Sequence, residues 1–382
     1  MFGPRGVLVH GQSLVRSGKL AEILNSSSFV RDANCFPHET CCSRLCASAP
    51  LREKATPSSS PGALPTATAD CYSIRTWEHT SGEPTVEGVD ALRAELMRDR
   101  PDWVAAVGGG SVIDLAKAAA GLVDAPEKTA FYQQNNSRIP AAMLPFIAVP
   151  TTAGTGSEAT VVSVLTDAAS CLKQSIRHPT FMPKIVLLDP DLLLDCPKPT
   201  RAAAGLDAFI QAFESYTSKY ATPFTRALSE VALVRISQTL LPFYRGDQLV
   251  AADMLEASYV AGLAFSHSRL GVIHGLAHPL GARFDAAHGL TCACCLPAAL
   301  AFNREVVAKD LAYLKERHSL DVEAQVTEWL REMELENPFA GKQVADLDAF
   351  VKEVLVSGST AANPRPVTAD DVRQLLSEIL SR

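Results

Sequence analysis

The stretch Trp103-Val104-Ala105-Ala106-Val107-Gly108-Gly109-Gly110-Ser111 decides the fold, and an apolar-periodic segment over residues 112–122 follows it. The apolar run predicts a buried strand and the periodic segment predicts a helix, with the glycines in the turn between them. Glycine lets the backbone approach a phosphate closely, and a helix N-terminus offers unpaired N–H groups and a positive dipole end. The unit lacks the G-x-G-x-x-G fingerprint of an ordinary Rossmann domain. It therefore indicates phosphate binding, and the alternative is a glycine-rich turn required only for packing.

Strand signals flank this unit on both sides, at residues 6–10, 146–150 and 185–190, and a helix is predicted over residues 86–97. From about residue 197 to the end, the pattern is almost entirely helical. Strands that alternate with helices, followed by helices alone, predict an α/β dinucleotide-type domain over residues 1–195 and an all-α domain over residues 196–382.

Residues 25–70 differ from the rest because they are rich in Ser, Pro, Thr and Cys. They predict an irregular segment, either partly disordered or a replacement for an ordinary α/β unit, and a strand pattern returns only at about residues 71–74. The cluster Cys35, Cys41, Cys42 and Cys46 lacks a clean pair of C-x2-C units, so zinc there is the minor alternative.

Composition narrows the class of protein. The chain has 382 residues, 47% hydrophobic and 20% charged, which is typical of a soluble globular enzyme with two domains. A net charge of -7 argues against a nucleic-acid or anionic-membrane surface. We find no apolar run that predicts a membrane span, no secretory signal and no disulfide-framework spacing, which together predict a cytoplasmic location. The oligomeric state is open, with a homodimer as one alternative.

A second loop, Thr151-Thr152-Ala153-Gly154-Thr155-Gly156-Ser157-Glu158, also follows a predicted strand and is rich in hydroxyls and glycine. By itself it is equally consistent with a solvated turn. At the end of another strand of the same sheet, it would face the same crevice as the first loop.

Three histidines lie close together in the helical part: His274, His278 and His288. Upstream, Asp207 and Gln211 lie one helical turn apart and share a face. Imidazole and carboxylate are metal ligands, so these residues indicate a metal site, a weakened one or the remains of one. The alternatives are histidines satisfied within the core and an aspartate that caps a helix or lies on the surface.

The motifs occur in an order that resembles the iron-containing (group III) alcohol dehydrogenase family. The matching segments are residues 108–117, 150–158, 189–190, 205–208, 274–281 and 288–289. The resemblance extends from about residue 80 to 382 and includes residues 6–24. It implies a dehydroquinate-synthase-like architecture: an N-terminal NAD(P)-binding α/β domain, a helical C-terminal domain, and the active site in the cleft between them.

The resemblance also implies where the cofactor binds. The glycine-rich loop would hold the pyrophosphate, the threonine-rich loop would lie along the cofactor, and a lysine at about Lys173 would lie near it. The expected cofactor-binding residues are Gly11, Ser13, Gly108, Gly109, Gly110, Ser111, Asp114, Thr151, Thr152, Thr155 and Lys173.

In the family, one aspartate and three histidines hold the metal. Asp207, His274 and His288 match three of these positions, and Gln211 stands at the fourth. An amide oxygen is a poorer ligand for Fe²⁺ or Zn²⁺ than imidazole, so the site is expected either to bind metal weakly or to work without it. His278 matches a histidine near the nicotinamide, with a role in proton transfer or cofactor contact.

If the site works without metal, hydrogen-bond donors or cations must polarise the carbonyl group of the substrate during its reduction. The expected catalytic residues are then His278, His274 and Arg269. Arg269 occupies a position at which many relatives have a small residue. Its guanidinium could clamp an acidic substrate, as a maleylacetate-reductase-like enzyme would require, or form a surface salt bridge.

The first strand ends in His10-Gly11-Gln12-Ser13 without a carboxylate. NAD-preferring relatives often carry an aspartate there, which repels a 2'-phosphate, so we expect NADP(H) rather than NAD(H). The sequence thus predicts an NAD(P)-dependent oxidoreductase that interconverts a small alcohol and an aldehyde or ketone. The alternatives are another reaction on the related dehydroquinate-synthase or glycerol-phosphate dehydrogenase scaffold, and a non-catalytic binding protein.

Overall fold

The computed structural model describes residues 3–25, 73–80, 82–167, 169 and 172–381. The predicted irregular segment, residues 25–70, and its cysteine cluster lie outside these residues, except for Asn25. Within the described ranges, the strand–helix pattern of the first half and the helical second half are both confirmed.

A parallel five-stranded sheet forms the centre of the N-terminal part, in the order β2-β1-β3-β4-β7. Its strands are β1 (Arg5–Gly11), β2 (Ser73–His79), β3 (Trp103–Gly108), β4 (Phe146–Pro150) and β7 (Ile185–Val186). Strands β3 and β4 are buried throughout, as expected of a parallel sheet covered on both faces.

The prediction of a strand over residues 185–190 was too long, because only Ile185 and Val186 pair with β4. Asp189 instead accepts a hydrogen bond from the backbone N–H of Asp191 and begins a short 3₁₀ turn at Pro190. Proline has no N–H to donate to a ladder, which favours the end of the strand before it.

The sequence reasoning missed an antiparallel hairpin, β5 (Val162–Asp167) and β6 (Leu172–Arg177). Its strands are mostly polar, and the buried apolar positions described in it include Leu165 and Ile176. Such a pattern is too weak to be recognised as a strand pair without knowing what covers it.

Thirteen helices lie within the described residues. They are α1 (Gln12–Arg16), α2 (Lys19–Asn25), α3 (Val86–Asp99), α4 (Gly110–Gly121), α5 (Thr129–Gln134), α6 (Lys198–Thr217), α7 (Pro223–Arg245), α8 (Ala251–Ser268), α9 (Val272–Phe284), α10 (His288–His318), α11 (Val322–Glu332), α12 (Leu347–Val356) and α13 (Ala369–Ser381). The predicted domain boundary at 195/196 falls between β7 and α6 and stays a prediction.

The strand order creates the crevice that positions the site. The chain leaves β1 for β2 on one side and then returns past β1 to β3 on the other, so β1 and β3 are neighbours at a topological switch point. In open parallel sheets, ligands bind outside the carboxyl ends of the strands at such a point. Gly11 and Gly108 end these two strands.

The helical part has one continuous apolar core built mainly from α6 to α13. Two of its segments, Gln248–Ser268 and His288–His318, are long and apolar enough by length and composition to cross a membrane. Within their most apolar windows, 44% and 56% of residues are buried inside the protein. Because both segments contribute to this core, we interpret them as core helices.

Candidate active site

The glycine-rich loop joins β3 to α4. Gly109 is the residue before α4, and among the described residues no side chain caps this helix. No side chain therefore competes for the first backbone N–H groups of α4, an arrangement that suits an anion. The side chain of Val112 packs beside this turn, because a Cβ added at Gly108 would be 2.6 Å from its Cβ and one at Gly11 would be 3.3 Å from its Cγ2.

The two predicted loops meet, as expected for loops that follow adjacent strands. The backbone N–H of Thr151 donates to the carbonyl of Gly108 at 3.0 Å. A Cβ added at Gly110 would be 2.6 Å from Oγ1 of Thr155, so a larger residue there would displace the second loop. The glycines thus serve packing between the loops as well as an open approach to the helix N-terminus.

Buried polar groups beneath the second loop hold it in place. Nζ of Lys117 donates to the carbonyls of Ser157 (2.6 Å) and Val162 (2.7 Å). The carboxylate of Asp114 accepts from the hydroxyl of Ser157 and from the backbone N–H of Val164 (2.9 Å). The contacts of Asp114 are therefore with the loop and the hairpin, and its expected contact with the cofactor stays a prediction.

Burial shifts the pKa values of this polar cluster. Desolvation raises the pKa of Glu158 to about 7 and lowers that of Lys117 to about 8, although the charges of the cluster partly oppose both changes. Desolvation also raises the pKa of Asp114, against the effect of Lys117. The charges at the base of the loop are therefore expected to change between about pH 7 and 8.

Helix α6 brings the metal-site positions against the second loop. A Cβ added at Gly154 would be 2.6 Å from Cα of Ala204, and Nε2 of Gln211 donates to the carbonyl of Thr155 at 3.4 Å. Asp207 lies in the middle of α6 and is 3% exposed. This position excludes the alternatives of a helix cap and a surface carboxylate.

The structure brings Asp207, His274 and His288 together, as the sequence predicted. Nε2 of His274 lies 3.2 Å from Oδ1 of Asp207, and Nε2 of His288 lies 3.7 Å from the same oxygen. The buried carboxylate of Glu214 accepts from Nδ1 of His274 at 2.6 Å. This contact fixes the ring so that Nε2 faces Asp207, the arrangement that supports a metal-binding histidine.

Cys292 is a further member of this cluster that the sequence reasoning missed. One ligand atom each from Asp207, His274, His288 and Cys292 lies within 4.8 Å of the others. The available signal was the spacing, since Cys292 follows His288 by one turn of α10.

Burial and neighbouring charges shift the pKa values of the residues in this cluster. Burial opposes the charged form of His274, but the hydrogen bonds to Asp207 and Glu214 favour it and help to raise its pKa well above the usual value. Burial lowers the pKa of His288 to about 3, although Asp207 opposes this change, and burial raises the pKa of Cys292 to about 11.

His278 and Lys173 lie beside the cluster. The rings of His278 and His288 are stacked, with centroids 5.0 Å apart and planes at 15°. Burial and then the charges of His274 and Lys173 lower the pKa of His278 to about 3. Lys173 itself forms an ion pair with Glu83 at 2.8 Å.

Arg269 lies at the end of α8 and is exposed to solvent. Its backbone has φ 63 and ψ -172, a conformation that is essentially restricted to glycine. Its guanidinium lies over the ring of Tyr220, 5.3 Å from the centroid. Desolvation and then the charge of Arg269 lower the pKa of Arg177 at the end of β6, so the two guanidinium groups influence each other.

Family models match the two parts of the chain separately. Residues 60–190 match the model for iron-containing alcohol dehydrogenase, and residues 201–380 match that for the C-terminal part of the Fe-containing alcohol dehydrogenase family.

Curated relatives cover most of the chain. The probable alcohol dehydrogenase EutG of Salmonella typhimurium is 36% identical over 309 residues, which are 78% of each chain. The NADPH-dependent butanol dehydrogenase of Clostridium saccharobutylicum is 30% identical over 325 residues, 79% of this chain and 82% of that one. The lactaldehyde reductase of Escherichia coli is 30% identical over 307 residues, 76% and 80% of the two chains.

Solved structures support the fold. The iron-containing alcohol dehydrogenase of Thermotoga maritima has a TM-score of 0.79 at 22% identity, covering 100% of this chain and 93% of its own. The sulfoacetaldehyde reductase of Bifidobacterium kashiwanohense, in complex with NAD+, has a TM-score of 0.80 at 22% identity, covering 99% and 91%. Together with the matching motifs and the geometry of the site, these similarities show that the chain belongs to the iron-containing alcohol dehydrogenase family.

Proposed function

We propose that the protein is an NAD(P)-dependent oxidoreductase that interconverts an alcohol and an aldehyde or ketone, and that it acts mainly as a reductase. The observation that carries the proposal is the direct contact between its two half-sites. Gly154 packs against Ala204 of α6, which lies three residues before Asp207. Gln211 of the same helix donates to the carbonyl of Thr155. The loop proposed to lie along the cofactor therefore contacts the helix that carries part of the proposed metal site, as hydride transfer between a nicotinamide and a small carbonyl would require.

The N-terminal half would hold the cofactor. The uncapped N-terminus of α4 suits the pyrophosphate, and the hydroxyls of Ser111, Thr151, Thr152 and Thr155 are available at the same edge of the sheet. Gly11 ends β1 without a carboxylate, and Ser13 follows it as a possible donor to a 2'-phosphate. This end of the crevice favours NADP(H), and the NADPH-dependent butanol dehydrogenase among the relatives is consistent with that choice.

The donor set of the helical half fits a divalent metal. Asp207, His274 and His288 converge on one point, and the buried Oε1 of Gln211 has no hydrogen-bond partner among the described residues. A metal bound by these residues would supply Lewis-acid polarisation of the substrate oxygen. With an amide at the fourth family position, we expect weaker binding than by three histidines.

The remaining polar residues of the cleft would bind and protonate the substrate. His278 stacks on His288, and the charge of Lys173 contributes to lowering its pKa. This position suits a proton relay or a contact with the nicotinamide. His274 is held by Glu214 and belongs to the cluster itself.

We also propose that the enzyme is cytoplasmic. A homodimer stays a prediction that analytical ultracentrifugation would test.

An acidic substrate is the second candidate, as for a maleylacetate-reductase-like enzyme. The observations in its favour are that Arg269 keeps a strained backbone and that its charge contributes to lowering the pKa of Arg177, at the end of β6. Guanidinium groups bind carboxylates strongly through paired hydrogen bonds. A series of aldehydes with and without a carboxylate would distinguish the candidates, because only the clamp predicts a lower KM for the acidic members.

Calorimetry with NADPH and NADH, followed by NADPH oxidation with small aldehydes, tests the main proposal. We expect binding of NADPH and its consumption with at least one aldehyde. If neither nucleotide binds to the folded protein, the oxidoreductase proposal is wrong and a non-catalytic binding protein is favoured. Metal analysis of the same preparation determines which cation, if any, accompanies the activity.

A further inference from the structure

The departure at Gln211 leaves the metal site one family ligand short. Its amide nitrogen is directed to the carbonyl of Thr155 at 3.4 Å, and the residue is 4% exposed. Amide oxygens suit hard cations and are poor ligands for Fe²⁺ or Zn²⁺. Another side chain in the cluster offers a stronger donor.

That side chain is Cys292. The Sγ of Cys292 lies 3.8 Å from Nε2 of His288, and Cys292 is fully buried. His288 and Cys292 occupy the first and fifth positions of α10, so both point from one face of the helix. A Cβ added at Gly289 would overlap the carbonyl oxygen of Ala203, and this close approach of α10 to α6 brings both side chains to Asp207.

Three of the six ligand–ligand separations are close to those of a tetrahedral site, and all six are within 4.8 Å. With Zn–N and Zn–O bonds of about 2.0–2.1 Å and Zn–S of about 2.3 Å, ideal ligand–ligand separations are ~3.3 Å between N and O and ~3.6 Å between N and S. The observed separations are 3.2 Å for His274–Asp207, 3.7 Å for His288–Asp207 and 3.8 Å for His288–Cys292. Small side-chain movements would close these atoms onto one ion.

We propose that Cys292 is a metal ligand and completes an Asp207–His274–His288–Cys292 site in place of the family's third histidine. On binding, the thiol loses its proton to solvent and the thiolate sulfur forms the bond to the metal. A thiolate and a carboxylate together neutralise a divalent ion. The softer sulfur favours Zn²⁺ over Fe²⁺ relative to a site of one aspartate and three histidines.

This inference rests on the metal site of the proposed function, but its test does not require turnover. The full chain, loaded with Zn²⁺, is measured by X-ray absorption at the zinc edge. We expect one sulfur neighbour at about 2.3 Å besides nitrogen and oxygen neighbours. A first shell of nitrogen and oxygen alone overturns the proposal without any substitution, and so does a failure of the folded chain to bind Zn²⁺ or Co²⁺.

Cobalt provides the second readout, because a thiolate bound to Co²⁺ gives a ligand-to-metal charge-transfer band in the near ultraviolet. We expect the band in the parent chain and in Cys294→Ser, a matched control two residues away on the same helix, and in Gln211→Ala. We expect Cys292→Ser to lose the band and to bind Zn²⁺ at least about tenfold more weakly, as for loss of a ligand interaction. A band that survives in Cys292→Ser overturns the assignment.

Calorimetry with NADPH on the same Cys292→Ser sample separates this proposal from the proposed function. Retained nucleotide binding together with loss of the band supports the ligand assignment in a folded protein. If the parent chain shows the sulfur neighbour but binds neither nucleotide, the cysteine site stands and the oxidoreductase proposal fails.

Discussion

The carboxylate of Glu214 holds the start of α9 and the ring of His274 together. It accepts from Nδ1 of His274 at 2.6 Å and from the backbone N–H of Ile273, also at 2.6 Å. One buried side chain therefore fixes both the backbone of the helix and the direction of the histidine. Carboxylates in this position typically set the tautomer and orientation of a metal-binding imidazole.

We expect Glu214→Gln to weaken Zn²⁺ or Co²⁺ binding by roughly 10–100-fold, because an amide cannot accept from all of these donors. Competition with a chromophoric chelator measures the affinity. The matched control is Glu256→Gln, which removes a surface carboxylate paired with Arg235. Equal metal affinity in Glu214→Gln and the parent would show that this contact does not orient the ligand.

Gly110→Ala tests the packing between the two loops. The added Cβ would lie 2.6 Å from Oγ1 of Thr155, so we expect a loss of about 1–3 kcal/mol in the free energy of unfolding. Urea titration measures it. Combining the change with Thr155→Ala should recover part of the loss, and strictly additive effects would contradict direct contact.

Gly11→Asp tests cofactor choice. A carboxylate at the end of β1 should repel a 2'-phosphate and accept from ribose hydroxyls, so we expect the ratio of NADPH to NADH affinity to fall at least about tenfold. Gly11→Ala is the control, because it adds the same Cβ beside Val112 without charge. A similar fall in Gly11→Ala would assign the effect to crowding.

Glu158→Gln tests the buried polar cluster through pH. The folded-state pKa of Glu158 is raised to about 7, so the folded protein holds a proton that the unfolded chain releases near pH 4.5. Its contribution to stability is therefore present below that pH and is lost as pH rises towards 7. We expect the free energy of unfolding of Glu158→Gln to equal that of the parent near pH 4.5. Above pH 7 it should exceed that of the parent by about 1–3 kcal/mol.

Denaturant titrations across this range measure the difference, with Glu256→Gln as an exposed control. Lys117 gives the opposite slope, because its pKa is lowered to about 8 and its neutral form is favoured by folding between about 8 and 10.5. A pH-independent difference between Glu158→Gln and the parent would contradict the raised pKa.

Arg269→Gly and Arg269→Ala separate backbone strain from charge. Both remove the guanidinium, but only glycine adopts a φ of 63 with a ψ of -172 without strain. We expect the glycine variant to be more stable than the alanine variant by about 1 kcal/mol in thermal or urea unfolding. If Arg269 clamps an acidic substrate, both variants should raise its KM equally, whereas an increase in only one would argue against the clamp.

The sequence alone determined the fold class, and it singled out three residues that the structure brings together. The apolar run before Gly108 and the periodic segment after Ser111 predict strand, loop and helix through local rules of burial and backbone conformation. The resemblance then related Asp207, His274 and His288 to one cluster, although 67 and 14 positions separate them along the chain. The antiparallel hairpin was missed because its polar strands gain their meaning only from the elements that cover them.

Only the tertiary structure decided the surroundings of these residues. Asp114 and Lys117, which lie on α4 between the two loops in the sequence, prove to hold the second loop from below. Glu214 becomes the partner of His274, and Cys292 joins the cluster because α10 approaches α6 closely at Gly289. The physical reason is that periodicity specifies which face a residue occupies, whereas distances between faces depend on how helices pack.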